Sequence, residues 1–274
     1  MSELPRLLVF GAHPDDCELN AGGVAALYAA RGYTVKFVSL TNGDTGHYEM
    51  GRGELARRRY DEAQASSRVV GLEYDILDIH CGELTPTVEN RKEIIRIIRR
   101  FRPDLVFLHP SDDYHPDHRY ASQLVQDAAY LVTVPGMCPL TPHLMTNPVF
   151  AYCLGTATVS RSFRPTLLVD ITSVLEQKIA MSCCHESQFL EWLPYNEGRL
   201  EQVPAGAAER RRWLEARLGE RYRALADNWR DELAAQYGEA RGRAIAAVEG
   251  VQACPFGAPL DEAAIGRLFP FVRS

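Results

Sequence analysis

An α/β fold, with a mostly parallel sheet covered by helices on both faces and a helical C-terminal extension, is what the order of apolar runs predicts. Three observations predict it. Over the first 185 residues, short continuous apolar runs alternate with stretches of helical periodicity. Two clusters rich in His and Asp each stand just past such a run and just before a helix-like stretch. Beyond residue 205 the pattern changes to a long amphipathic repeat among many charges.

Each element follows in order. Arg6-Leu7-Leu8-Val9-Phe10-Gly11 reads as a buried strand, and a helix with Val24, Leu27 and Tyr28 on one face begins near residue 21 and ends at Arg31-Gly32. The run 34–40 is a second strand, closed by the turn residues Thr41-Asn42-Gly43-Asp44. A charged helix spans 54–70, and residues 74–79 form a third strand. Glu89 to Arg100, with Ile94, Ile95, Ile97 and Ile98, is a helix stopped by Arg102-Pro103. Residues 104–108 are the fourth strand and 119–132 the next helix. After a Pro- and Thr-rich loop at 133–148, strands are expected at 149–154 and 166–170 and a helix from Val174 to Cys184. Leu214, Leu218, Tyr222, Leu225, Trp229, Leu233 and Tyr237 recur at three- and four-residue steps, so one amphipathic helix is expected over 205–240. Residues 1–195 are therefore expected to form the catalytic core, with 196–274 a mostly helical extension packed on the same domain.

Composition bounds the function. The chain has 274 residues, with 30 basic and 36 acidic side chains and a net charge of −6. This acidic balance argues against a protein that binds nucleic acid through its backbone or sits on an anionic membrane. No apolar run approaches the roughly 18 residues of a membrane span, and Gly11 and His13 interrupt the first apolar run too early for a signal peptide. Seven cysteines without C-x-x-C spacing fit free thiols better than a disulfide framework, so a cytoplasmic location is expected.

The chemistry lies in the two clusters, Gly11-Ala12-His13-Pro14-Asp15-Asp16-Cys17-Glu18 and Ser111-Asp112-Asp113-Tyr114-His115-Pro116-Asp117-His118. In an open parallel sheet the carboxyl ends of the strands form the ligand-binding edge, so clusters a hundred residues apart in sequence can converge there. His13, Asp16 and His118 supply two imidazoles and a carboxylate, leaving an open position as in a catalytic zinc site. The same set matches the facial triad of non-haem iron, so ligand type leaves Zn²⁺ and Fe²⁺ open. Asp15, beside Asp16, is placed to take a proton from water. A single His-Pro-Asp is commonly no more than a turn. Two such clusters, each after a buried strand and each rich in carboxylates that are costly to bury unpaired, point to a site. A dinucleotide site is disfavoured, because Pro14 and three acids replace the G-x-G-x-x-G turn.

His13-Pro14-Asp15-Asp16-Cys17-Glu18 resembles the A-H-P-D-D-x-E signature of the PIG-L/LmbE-like deacetylases, and His115-Pro116-Asp117-His118 resembles their H-P-D-H signature. Residues 41–46 and His185-Glu186-Ser187-Gln188 are similar to further segments of that family, so the likeness covers roughly residues 5–195. The resemblance implies a Rossmann-like sheet and zinc-dependent hydrolysis of an N-acyl group, typically the acetamide of an N-acetylglucosaminyl compound. It implies metal ligation by His13, Asp16 and His118, a general base and acid in Asp15, and oxyanion stabilisation by His115 as a cationic donor. It puts Arg59 where family members hold substrate, and Cys81 where many carry an acid that contacts sugar hydroxyls. A thiol is a poor partner for hydroxyls, so a metal-dependent amidase acting on a non-sugar amide or thiol conjugate is an alternative. A non-catalytic sugar-binding relative is another, opposed by the retention of Asp15 with all three ligands. The expected partner is a small N-acylated substrate, and the resemblance also implies a homo-oligomer.

Asp117 is read as either an orienting partner for a histidine or a turn former, and Glu18 as structural. His185 is placed at the pocket rim or on a helix surface, His109 is a candidate to line the site, and residues 41–53 are a candidate lid.

Overall fold

The computed structural model describes residues 4–155, 160 and 162–272. Its elements in chain order are β1 (Arg6–Gly11), α1 (Asp16–Ala29), β2 (Thr34–Ser39), α2 (Arg52–Val70), β3 (Glu73–Ile76), α3 (Val88–Phe101), β4 (Leu105–Leu108), α4 (Pro116–Leu131), β5 (Val149–Leu154), β6 (Leu167–Asp170) and α5 (Leu175–Ser182). There follow α6 (Leu193–Asn196), α7 (Ala207–Asp227), α8 (Arg230–Tyr237), α9 (Glu239–Ala244), β7 (Val248–Gly257) and α10 (Glu262–Leu268). A π-helical turn at Ser187–Trp192 leads into α6.

The seven-stranded sheet has the order β3-β2-β1-β4-β5-β7-β6. From β3 to β5 all pairings are parallel, and β7 runs antiparallel to both β5 and β6. Alternation along each strand divides the core into two faces. Leu7, Val9, Phe37, Leu105, Phe107 and Ala151 pack under α1, α5 and α7, whereas Leu8, Phe10, Val38, Val106, Leu108 and Phe150 pack under α3 and α4. The chain order reverses about β1, since β2 lies on one side of it and β4 on the other. Loops leaving β1 and β4 therefore share one edge of the sheet, as a topological switch point requires.

Three expectations need correction. The first helix starts at Asp16, not near residue 21, so both acids of the first cluster sit at its very N-terminus. The third strand stops at Ile76, which leaves residues 77–84 free to form the loop that carries Cys81. The single helix expected over 205–240 is broken twice: at Asn228-Trp229, where Trp229 packs against two core clusters, and at Gly238, with φ +86°. Past it, β7 was not foreseen. Its Glu249 is a charge inside a strand, and an apolar-run criterion passes over it. Glu249 is 1% exposed, and its carboxylate accepts the Gly23 and Val24 N–H groups of α1 and pairs with Lys178 of α5. The C-terminal segment thus completes the sheet as well as flanking it.

Candidate metal centre

The chain leaves β1 at Gly11 and turns back on itself at once. Asp16 Oδ2 accepts the backbone N–H groups of Ala12 (3.0 Å) and His13 (2.8 Å), locking its carboxylate under the turn. The turn also holds Asp15 at φ 136°, ψ −26°, a conformation that L side chains rarely adopt. On the other side of β1, β4 leads through His109 and the second cluster into α4. Pro116 sits in the first turn of that helix, where its missing N–H costs nothing, and His115 caps it by accepting the Asp117 N–H on Nδ1.

These two turns bring His13, Asp16 and His118 together. His13 Nδ1 lies 3.4 Å from Asp16 Oδ2, His118 Nε2 lies 3.4 Å from the same oxygen, and the two nitrogens are 3.2 Å apart. A tetrahedral ion with bonds of about 2.0–2.1 Å separates its ligand atoms by about 3.3 Å. The near-equilateral triangle therefore fits a divalent ion with a coordination position left open, and the donor set suits zinc or ferrous iron.

Behind each imidazole of the triangle stands a carboxylate, a common arrangement for fixing which nitrogen faces a metal. His13 Nε2 donates to Asp117 Oδ2 at 3.1 Å, and the same oxygen accepts the Gly82 N–H at 2.6 Å. His118 Nδ1 lies 3.1 Å from Asp113 Oδ2. Of the two readings of Asp117, the structure therefore supports the orienting one. Asp113 was not singled out from the sequence, and its only signal was the doubled acid Asp112-Asp113 ahead of the His-Pro-Asp-His run.

The remaining candidates surround this triangle. Burial and the negative Asp16 push the Asp15 carboxyl up to about 7, against the opposing charges of Arg59 and His185. For Asp16, burial is outweighed by His118 and His109, which hold it well below the usual carboxylate range. His115 is pushed down to about 4 by burial and by His13 and His118. With Nδ1 accepting an amide proton, His115 is a neutral imidazole that donates through Nε2, and the cationic form expected from the sequence is corrected. His109 stacks on His118 at 4.3 Å and accepts the Ala12 N–H, so it lines the centre from behind.

Arg59 is 3% exposed and lies across Gly43. A Cβ at Gly43, where φ is +69°, would come within 2.6 Å of Arg59 Cδ, so only glycine admits the side chain here. Its Nε and Nη2 are buried without a partner. Cys81 is half-buried, its N–H held by Asp44 Oδ1 at 3.0 Å, and its thiol belongs to a group with His13 and Asp117 whose ligand atoms lie within 4.8 Å of one another.

Outside the centre, His185 is fully buried and bonds Glu18 at 2.8 Å, so neither the rim nor the helix-surface reading holds. Glu18 also accepts Ser66 Oγ at 2.6 Å, which is a buried structural role. The candidate lid is fastened: His47 bonds Glu191 at 2.9 Å, Arg58 grips Glu191 through two bonds of 2.7 Å, and Tyr48 stacks on Tyr195. Among the described residues, no helix is long and apolar enough to cross a membrane.

A family model described as PIG-L, GlcNAc-PI de-N-acetylase, matches residues 8–129. The diacetylchitobiose deacetylase of Thermococcus kodakarensis is 33% identical over 211 residues, covering 71% of this chain and 76% of that one. A 4-oxalmesaconate hydratase of Pseudomonas putida is 29% identical over 203 residues, covering 71% and 78%. The solved structure of the N,N'-diacetylchitobiose deacetylase from Pyrococcus horikoshii superposes with a TM-score of 0.69 at 24% identity, covering 92% of this chain and 85% of that one, and so shares the fold.

Proposed function

This chain belongs to the PIG-L family of de-N-acetylases, and from that premise we propose that it is a zinc-dependent hydrolase removing an acetyl group from the nitrogen of a small amino-sugar-type substrate. The observation that carries this reading is the triangle of His13 Nδ1, Asp16 Oδ2 and His118 Nε2, with sides of 3.2–3.4 Å and with Asp15 beside it. An ion bound there supplies Lewis-acid activation of a water and of the amide carbonyl.

The chain's own groups do the rest. Asp15, whose carboxyl stands near 7 before any cation lowers it, takes the proton from the attacking water. His115 donates its Nε2–H to the oxygen on which negative charge develops, a preorganised neutral donor. Asp15 then returns the proton to the nitrogen, because an amine leaves only when protonated. Arg59, with two buried N–H groups unpaired, binds polar oxygens of the substrate. Cys81 stands where the family resemblance implies an acid that contacts sugar hydroxyls, and a thiol there is a poor partner for hydroxyls, which favours a sugar held differently from free N-acetylglucosamine.

Acetate release from a panel of N-acetylated mono- and disaccharides, with and without a chelator, tests the reading. Release abolished by chelation and restored by zinc is expected. Release from no sugar, or release indifferent to chelation, overturns it. The likeness to a hydratase makes addition of water to a carbon–carbon double bond the second reading. Loss of absorbance of an unsaturated di- or tricarboxylate, measured on the same protein, separates the two.

A further inference from the structure

We propose that the chain carries a second cation site, back to back with the first, built from the Cys81 thiolate, the Asp117 carboxylate and the outer nitrogen of His13. We further propose that a thiophilic divalent ion bound there inhibits the enzyme.

The ligand atoms of these three residues lie within 4.8 Å of one another. The first centre uses only one side of His13, the residue the two sites share. His13 faces it with Nδ1, so Nε2 points the other way, toward Asp117. Asp117 Oδ2 is already engaged by His13 and Gly82, but Oδ1 is buried and without a partner, in a residue that is 0% exposed. Leaving a buried carboxylate oxygen bare is costly, and a cation is the group that relieves it.

Cys81 is a free, half-buried thiol, open enough for an ion to arrive. Its backbone is anchored on both sides, the N–H to Asp44 Oδ1 at 3.0 Å and the C=O to Thr45 Oγ1 at 3.3 Å, so the main chain that carries the thiol is held in place. Thiolate, imidazole and carboxylate together select zinc or cadmium and discriminate against magnesium and calcium.

Binding is a proton exchange without redox change. The Cys81 thiol and His13 Nε2 each release a proton to solvent as the ion takes their place, while the Asp117 carboxylate is already charged. The His13 ring then bridges two cations. It no longer donates to Asp117, the bond that orients it toward the first ion, and the pocket wall at Cys81 is closed by a positive charge. The site stands on these residues alone, whereas its inhibitory effect rests on the proposed deacetylation.

The test loads the full-length protein with one equivalent of zinc and titrates it with cadmium. Thiolate-to-cadmium absorption in the ultraviolet and native mass spectrometry are followed together. One further equivalent that brings in the absorption band and gives one zinc and one cadmium per chain is expected. In Cys81→Ser the band should vanish and the second affinity fall by about tenfold or more. Cys184→Ser, a half-buried thiol elsewhere, should keep both. No saturable band, a band that survives Cys81→Ser, or one lost in Cys184→Ser overturns the site. Each protein's acetate release is then compared with its own cadmium-free rate. Loss in the native protein but not in Cys81→Ser supports inhibition, and equal loss in both overturns it. Absence of acetate release before any cadmium is added counts against the deacetylase reading alone, because the absorption arm still decides the site.

Discussion

Two buried clusters of charge lie on either side of α1, and they differ in one respect. Behind the helix, Lys178 and Glu249 satisfy each other fully: the ammonium also bonds Leu19 O at 2.9 Å and stands over the Tyr222 ring, while both carboxylate oxygens take helix N–H groups. In front of its N-terminus, the His/Asp cluster leaves atoms without partners: Arg59 Nε and Nη2, Asp117 Oδ1, His109 Nδ1 and the misaligned pair of His118 Nδ1 and Asp113 Oδ2. Burying charge is expensive in both places. Where every donor and acceptor is matched, the charge holds the fold. Where several remain open, the cluster has donors and acceptors to offer a group from outside the chain.

The largest effect should follow from removing a side of the triangle. His118→Ala is expected to lose stoichiometric zinc, read by elemental analysis after gel filtration, and turnover with it. Zinc retained at one per chain would mean that the front cluster does not hold its ion through these residues. Next comes Asp15→Asn, which should keep zinc while kcat falls by about 10²–10⁴. Its pH profile carries the sign. A general base works only when deprotonated, so kcat/KM in the native protein should fall as pH drops through the Asp15 pKa. That pKa lies at about 7 without a cation and lower with one. The residual rate of Asp15→Asn should lack that limb.

The rear cluster predicts loss of stability in place of chemistry. Lys178→Met leaves the Glu249 carboxylate buried and unpaired, which costs about 3–5 kcal/mol, read as a lowered urea midpoint. Lys178→Met combined with Glu249→Leu should recover part of the loss, because no lone charge then remains, although two helix N–H groups lose their acceptor. A single variant as stable as the native chain would erase the distinction between a saturated and an open cluster.

The sequence showed the front cluster far better than the rear one, for a physical reason. His13, Asp16 and His118 stand in two short motifs at strand ends, and topology needs only one sheet edge to unite them. The strands β1, β4 and β5 were legible because they are almost continuously apolar, and β2 because Val35, Phe37 and Val38 lead straight into turn residues. β7 was not, since Glu249 and Gly250 break the run and become intelligible only beside Lys178 and α1, each far away in sequence. The long amphipathic repeat misled in the opposite sense. Its period is helical throughout, but Trp229 is drawn into the core and Gly238 turns left-handed, and periodicity registers neither. Asp113 and the pinning of Cys81 by Asp44 escaped notice because an orienting carboxylate has no spacing rule.

Asp113 supplies the smallest and most discriminating prediction. Its carboxylate is fully buried, 3.1 Å from His118 Nδ1, yet not aligned as a hydrogen bond. If it orients His118, Asp113→Asn removes the charge that raises the basicity of that imidazole, keeps the shape, and should weaken zinc binding by about 10–100-fold. Competition against a chelating dye measures this directly. A purely structural Asp113 predicts something else: a lower unfolding midpoint in the metal-free protein and an unchanged zinc affinity. Asn has the same shape in nearly the same volume, with one acceptor oxygen exchanged for an NH2 donor, so loss of packing contributes little to either result. An affinity shift without a matching loss of metal-free stability would place Asp113 with the open cluster, whereas the reverse outcome would move it to the saturated kind represented by Lys178 and Glu249.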